Sequence, residues 1–108
     1  MVQVDEQLLR DVVRRIVDIS QPHKIILFGS RARGTAQSGS DLDLLVIADS
    51  GEPRYRRSAP LYGALSDILV PMDIVVYTPG EVEEWGPVPQ AFVSTALREG
   101  KVLYEKPG

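Results

Sequence analysis

Apolar positions in this chain follow two periods. Leu9, Val12, Val13, Ile16 and Val17 recur at the i, i+3, i+4 spacing of a helix with one buried side, which predicts a helix from Asp5 to Ile19. Glu6 with Arg10 and Asp11 with Arg15 fall four residues apart on its wet side, the spacing of helical ion pairs. Gln21-Pro22 ends it. Lys24 to Phe28 (KIILF) then runs without polar alternation, as a strand covered on both faces does. Similar runs predict a second strand from Asp41 to Ala48 and a third from Met72 to Tyr77.

Polar and turn-forming residues supply the connections. Gly29-Ser30 is read as a turn, with Ser30 capping a short helix that runs through Arg33 and stops at Gly34. Thr35 to Ser40 is a polar loop, and Asp49 to Arg57 an exposed, mobile one. Ser58 is placed as the N-cap of a second long helix, with Pro60 in its first turn and Leu61, Leu65, Ile68 and Leu69 as its buried stripe. Thr78 to Glu81 turns into a short helix through Trp85. A last helix, Gln90 to Arg98, leads to a terminal strand at Lys101 to Glu105. The predicted order, α-β-α-β-α-β-α-α-β, is an α/β or α+β sheet with helices mainly on one face.

Composition narrows the class. A chain of 108 residues with 44% apolar and 25% charged content supports one domain, residues 1–108, with a single core. Its net charge of −3 gives no general attraction to nucleic acid or anionic membrane. The absence of cysteine excludes disulfides and thiolate metal sites. No apolar run approaches the roughly 20 residues of a membrane span, and residues 1–5 have no signal-peptide pattern. The expectation is a cytoplasmic protein.

The candidate chemistry lies where polar residues interrupt the apolar runs. Gly29-Ser30 is followed, ten residues on, by Asp41-Leu42-Asp43, and Asp73 opens the third strand. Alternate residues on a strand share a face, which sets Asp41 and Asp43 about 7 Å apart at their Cα atoms. Carboxylates entering core strands need partners, and divalent cations are strong ones. Mg²⁺ takes a few carboxylates together with water and phosphate oxygens. Gly29 allows close backbone approach, while Ser30 offers a hydroxyl and an N–H at a helix start, where phosphate is favoured. Arg31 and Arg33 are candidates for charge compensation, Arg33 before Arg31.

Together these residues resemble the polymerase-beta-type nucleotidyltransferase superfamily, and the GSRARG wording and chain length resemble its minimal nucleotidyltransferases (MNT). The resemblance extends over roughly Lys24 to Tyr77. It implies a mixed sheet, Mg²⁺ (two ions) and a nucleoside triphosphate such as ATP. Asp41, Asp43 and Asp73 would be the catalytic and metal-binding residues, and Gly29, Ser30 and Arg33 the phosphate-binding ones. It further implies pairing with a helical HEPN protein in a toxin–antitoxin module, in which the MNT member adds AMP to the toxin. With no second domain to hold an acceptor, another chain must present it, in a hetero- or homo-oligomer.

Plainer readings stand beside these. Asp-x-Asp alone is common at strand starts, and Ser30 alone is an ordinary cap. Arg54, Arg56 and Arg57 with Tyr55 are read as a solvated loop rather than a nucleic-acid patch. His23 is read as a turn residue, and Glu81, Glu83 and Glu84 as the acidic start of a helix. Trp85 and Phe92 are read as core cover, an exposed Trp85 indicating an interface instead. Two rival functions remain open: a non-catalytic antitoxin that occludes its partner, and a nucleotidyltransferase acting on a small molecule of aminoglycoside type.

Overall fold

The structure, a computed structural model, describes residues 4–34 and 41–107; the expected polar loop Thr35 to Ser40 lies outside them. Helix α1 (Glu6–Ser20) starts where the Asp5 carboxylate accepts the Leu8 N–H. It ends at Gln21, in the left-handed conformation. There follow β1 (Lys24–Phe28), α2 (Ser30–Arg33), β2 (Leu42–Ile47), α3 (Arg54–Arg57), α4 (Ala59–Ala64) and β3 (Met72–Tyr77). Helices α5 (Pro79–Trp85) and α6 (Phe92–Glu99) and strand β4 (Lys101–Glu105) complete the chain.

The four strands form one mixed sheet in the order β3-β2-β1-β4. β1 pairs antiparallel with both β2 and β4, while β2 and β3 run parallel. A parallel pair needs a crossover of a dozen residues or more, and α3 and α4 lie within it. Helices cover both faces unequally. The larger apolar layer joins Val12 and Ile16 of α1 and Leu61 of α4 to Ile25, Leu27, Leu42, Leu44, Val46, Ile74 and Val76. The smaller joins Val93 and Ala96 of α6 to Ile26, Leu45, Ile47 and Tyr77. Burial on both faces is why the two central strands, β1 and β2, read as apolar runs without regular polar alternation.

The second long helix needs correction. Its expected course is cut short to α4 and a turn: Leu65 leaves the helical conformation, and Leu69 is 78% exposed rather than buried. Leu65 is buried and Ile68 packs partly against the core, so only half the expected stripe faces inward. Ser58 makes no side-chain cap and lies in right-handed helical backbone between α3 and α4. Arg15 explains part of the packing here. From α1 its guanidinium donates to the Ala64 carbonyl at 3.1 Å and to Asp67, joining the helix to the end of α4. The expected Asp49–Arg57 loop likewise ends in helix, because Arg54 and Arg57 turn inward.

Candidate active site

Strand register builds the site. Asp43 of β2 lies directly beside Asp73 of β3 in the parallel ladder, and opposite Phe28 of β1 in the antiparallel one. Side-chain alternation puts these three residues on the face that carries Leu45, Val75 and Tyr77, the α6 side. Asp41 immediately precedes β2 and is exposed. The start of β2 is tied to that of β3 by the Leu42 N–H, which donates to the Pro71 carbonyl at 2.8 Å.

Gly29 sits at the end of β1 with φ +76° and ψ −157°, a backbone state open essentially to glycine alone. A Cβ at this position would fall onto the Asp43 carboxylate oxygen Oδ2. The missing side chain is therefore the space that Asp43 occupies. Gly29, not Ser30, is the N-cap of α2, and Ser30 is its first helical residue. The expected Ser30 side-chain cap is accordingly absent: α2 has no side-chain cap bond.

Asp43 has its carboxyl pushed above the ordinary aspartate range. Burial is the main cause, followed by the negative charges of Asp73 and then Asp41; Arg31 and Arg33 pull weakly the other way. Arg31, partly buried, acts on Asp43 more strongly than the exposed Arg33.

Among the described residues, no three His, Cys, Asp or Glu side chains form a metal-holding group. The available donors still suit Mg²⁺: hard carboxylate oxygens on one face, crowded by like charge, beside a glycine that leaves room for a ligand. Such an ion takes much of its coordination from water and phosphate, so two or three loosely arrayed carboxylates meet its chemistry.

Other expected side chains have structural partners. Arg57 is 10% exposed and meets Glu81 at 2.6 Å, while its Nε donates to the Glu52 carbonyl. Arg54 reaches the same carboxylate at 3.3 Å and the Tyr77 hydroxyl at 3.2 Å, with its guanidinium 4.2 Å from the Tyr77 ring centre. Thr78 and Glu81 cap α5 reciprocally, and together these contacts hold Glu81 down to about 2, Arg57 being the main cause. The basic run is thus partly tied into the structure: Arg57 is partly buried, the exposed Arg54 is held by Glu81 and Tyr77, and Tyr55 and Arg56 are exposed. His23 meets Asp49 at 3.0 Å, in keeping with a turn role. Trp85 and Phe92 are 43% and 39% exposed, so neither is simple core cover.

The comparisons agree with this architecture. The family model described as "Nucleotidyltransferase domain" matches residues 8–104. A solved toxin–antitoxin with AMP-PNP is similar over 91% of this chain and 73% of its own, at 23% identity and TM-score 0.58. A mutant of the toxin–antitoxin MntA-HpeT is similar over 96% and 75%, at 24% identity and TM-score 0.54. At such identities the two structures share the fold. A search of curated proteins gave no match. Among the described residues, no helix is long and apolar enough to cross a membrane.

Proposed function

The chain belongs to the nucleotidyltransferase-domain family, and from that premise we propose that it moves AMP from ATP to a hydroxyl of a partner protein. We take the partner to be a HEPN-type helical toxin and this chain to be its antitoxin. The observation that carries the reading is the crowding of Asp43 by Asp73 and Asp41 beside the space left by Gly29. A carboxylate raised first by burial and then by its like-charged neighbours marks a place where charge is awaited. The similarity to a toxin–antitoxin with AMP-PNP supports both donor and setting.

In this reading Asp41, Asp43 and Asp73 hold Mg²⁺, as two ions. Bound there, the metal supplies a lowered pKa for the attacking hydroxyl and countercharge for the departing pyrophosphate. Gly29 and Ser30 hold the terminal phosphates through backbone N–H groups and the hydroxyl, with Arg31 and Arg33 balancing their charge. The partner's hydroxyl oxygen bonds to the α-phosphorus as the bond to the bridging oxygen breaks. Asp73 accepts the hydroxyl proton. The work is cytoplasmic.

The test is incubation with ATP, Mg²⁺ and the partner toxin, read by intact mass. The partner gains AMP with this chain and does not with Asp41→Ala/Asp43→Ala. No gain with either protein overturns transfer.

One observation favours a second reading, neutralisation by occlusion. An apolar groove of about 430 Å³ runs between α1 and β4, lined by Leu9, Val13, Val17, Val102, Leu103 and Tyr104. Rescue of cells by Asp41→Ala/Asp43→Ala would establish occlusion over modification.

A further inference from the structure

The face that carries Asp43 and Asp73 continues toward a second feature. Tyr77 lies four residues beyond Asp73 on β3, hence on the same face and roughly 13 Å along it. There Arg54, Tyr77, Trp85, Phe92 and the α6 start enclose a cavity of about 230 Å³. Phe92 stands between cavity and carboxylates. Its ring meets Phe28, the cross-strand partner of Asp43, edge to face at 5.0 Å, and Tyr77 at 6.0 Å.

We propose that this cavity holds the base of the donor nucleotide, a planar purine, stacked on Trp85 and Phe92 with the buried Tyr77 ring beneath them. The inference rests on the reading of the chain as a nucleotidyltransferase and adds the base subsite to it. Trp85 and Phe92, each more than a third exposed, form with the buried Tyr77 an apolar patch of the kind that lines ligand grooves and interaction sites, and the cavity between them makes it a groove. Drug-sized ligands fill about 300–1,000 Å³, so this smaller space suits one ring system rather than a whole nucleotide. Arg54 is held by Glu81 and by the Tyr77 ring and hydroxyl, which fixes its guanidinium as part of the cavity wall. Among the described residues, the cavity is lined by Arg54, Ala91, Val93 and the aromatic rings, so contact with a base is mainly by its faces. Stacking is tolerant of base identity. ATP and GTP therefore bind within a few-fold of each other, and both bind more tightly than CTP, whose single ring covers less surface.

Trp85 is the sole tryptophan of the sequence, so its emission reports this cavity alone. Titration of the full chain with adenosine, ATP and inorganic tripolyphosphate, by fluorescence and calorimetry in parallel, separates base from phosphate. Adenosine and ATP quench Trp85 saturably, and tripolyphosphate binds without quenching. Phe92→Leu weakens ATP about tenfold and leaves tripolyphosphate unchanged, and Phe92→Tyr restores ATP binding. If ATP binds no more tightly than tripolyphosphate and Trp85 emission is silent, the base lies elsewhere: this inference falls while the transferase reading stands. If adenosine quenches but tripolyphosphate fails to bind, the cavity stands and the phosphate turn falls. If none of the three binds, both fall.

Discussion

Asp43 and Glu81 are both partly buried carboxylates, and the fold treats them in opposite ways. Glu81 accepts from the guanidinium groups of Arg57 and Arg54 and from the Thr78 N–H, and its pKa falls to about 2. Asp43 has Asp73 beside it and Asp41 two residues before it, and its carboxyl is raised. A satisfied carboxylate ties elements together: Glu81 joins α3, the end of β3 and α5. A carboxylate left against its own kind stores unfavourable charge, which the fold tolerates where a cation or phosphate chemistry relieves it.

The two therefore oppose each other in pH dependence. For Glu81, pKa lowered, its contribution is complete above the unfolded value of 4.5 and is lost as pH falls through about 2. For Asp43, pKa raised, folding is unburdened while the group is protonated, and stability is lost as pH rises through the raised value.

The sharpest way to break the contrast is Asp43→Asn. Transfer should fall by about 10³-fold, yet the metal-free variant should melt no lower than the parent at pH 7. A lower melting temperature at pH 7 would make Asp43 a structural residue like Glu81. Next comes Gly29→Ala, whose Cβ must displace the Asp43 carboxylate and occupy glycine-only backbone. A misplacement of that kind costs about 10²-fold in turnover, with a stability loss of about 1–3 kcal/mol in urea titration. Glu81→Gln tests the other side. It should destabilise by about 2 kcal/mol at pH 7, since it leaves buried Arg57 short of its counter-ion. Thermal melts of the variant should lack the acid limb between pH 4.5 and about 2 that the lowered Glu81 pKa predicts for the parent. The smallest effect belongs to Leu69→Ser, within about 0.5 kcal/mol, because that side chain is 78% exposed.

Local pattern carried most of the strand assignment. β1, β3 and β4 have the bounds that their apolar runs predict, α1 begins and ends within a residue of expectation, and α5 ends at Trp85 as expected but takes in most of the expected turn, starting at Pro79. Failure came where long-range contacts override periodicity. The Leu61, Leu65, Ile68, Leu69 spacing reads as one helix, but α4 ends at Ala64 and Leu69 is left outside. The basic run at Arg54–Arg57 reads as solvent-facing, since its partner Glu81 lies 24 residues from Arg57.

The sequence by itself determined the strands, the first helix and the family resemblance, and it named Gly29-Ser30 with Asp41, Asp43 and Asp73 as the candidate site. These depend on residue type and short spacing, which local sterics and side-chain alternation convert directly into geometry. Only the tertiary structure decided that Asp43 and Asp73 are register partners, that Gly29 makes room for Asp43, and that Glu81 gathers two arginines. Those facts depend on how strands thirty residues apart align and how helices close over them. Coulomb and packing energies act through space, and spacing along the chain does not encode them.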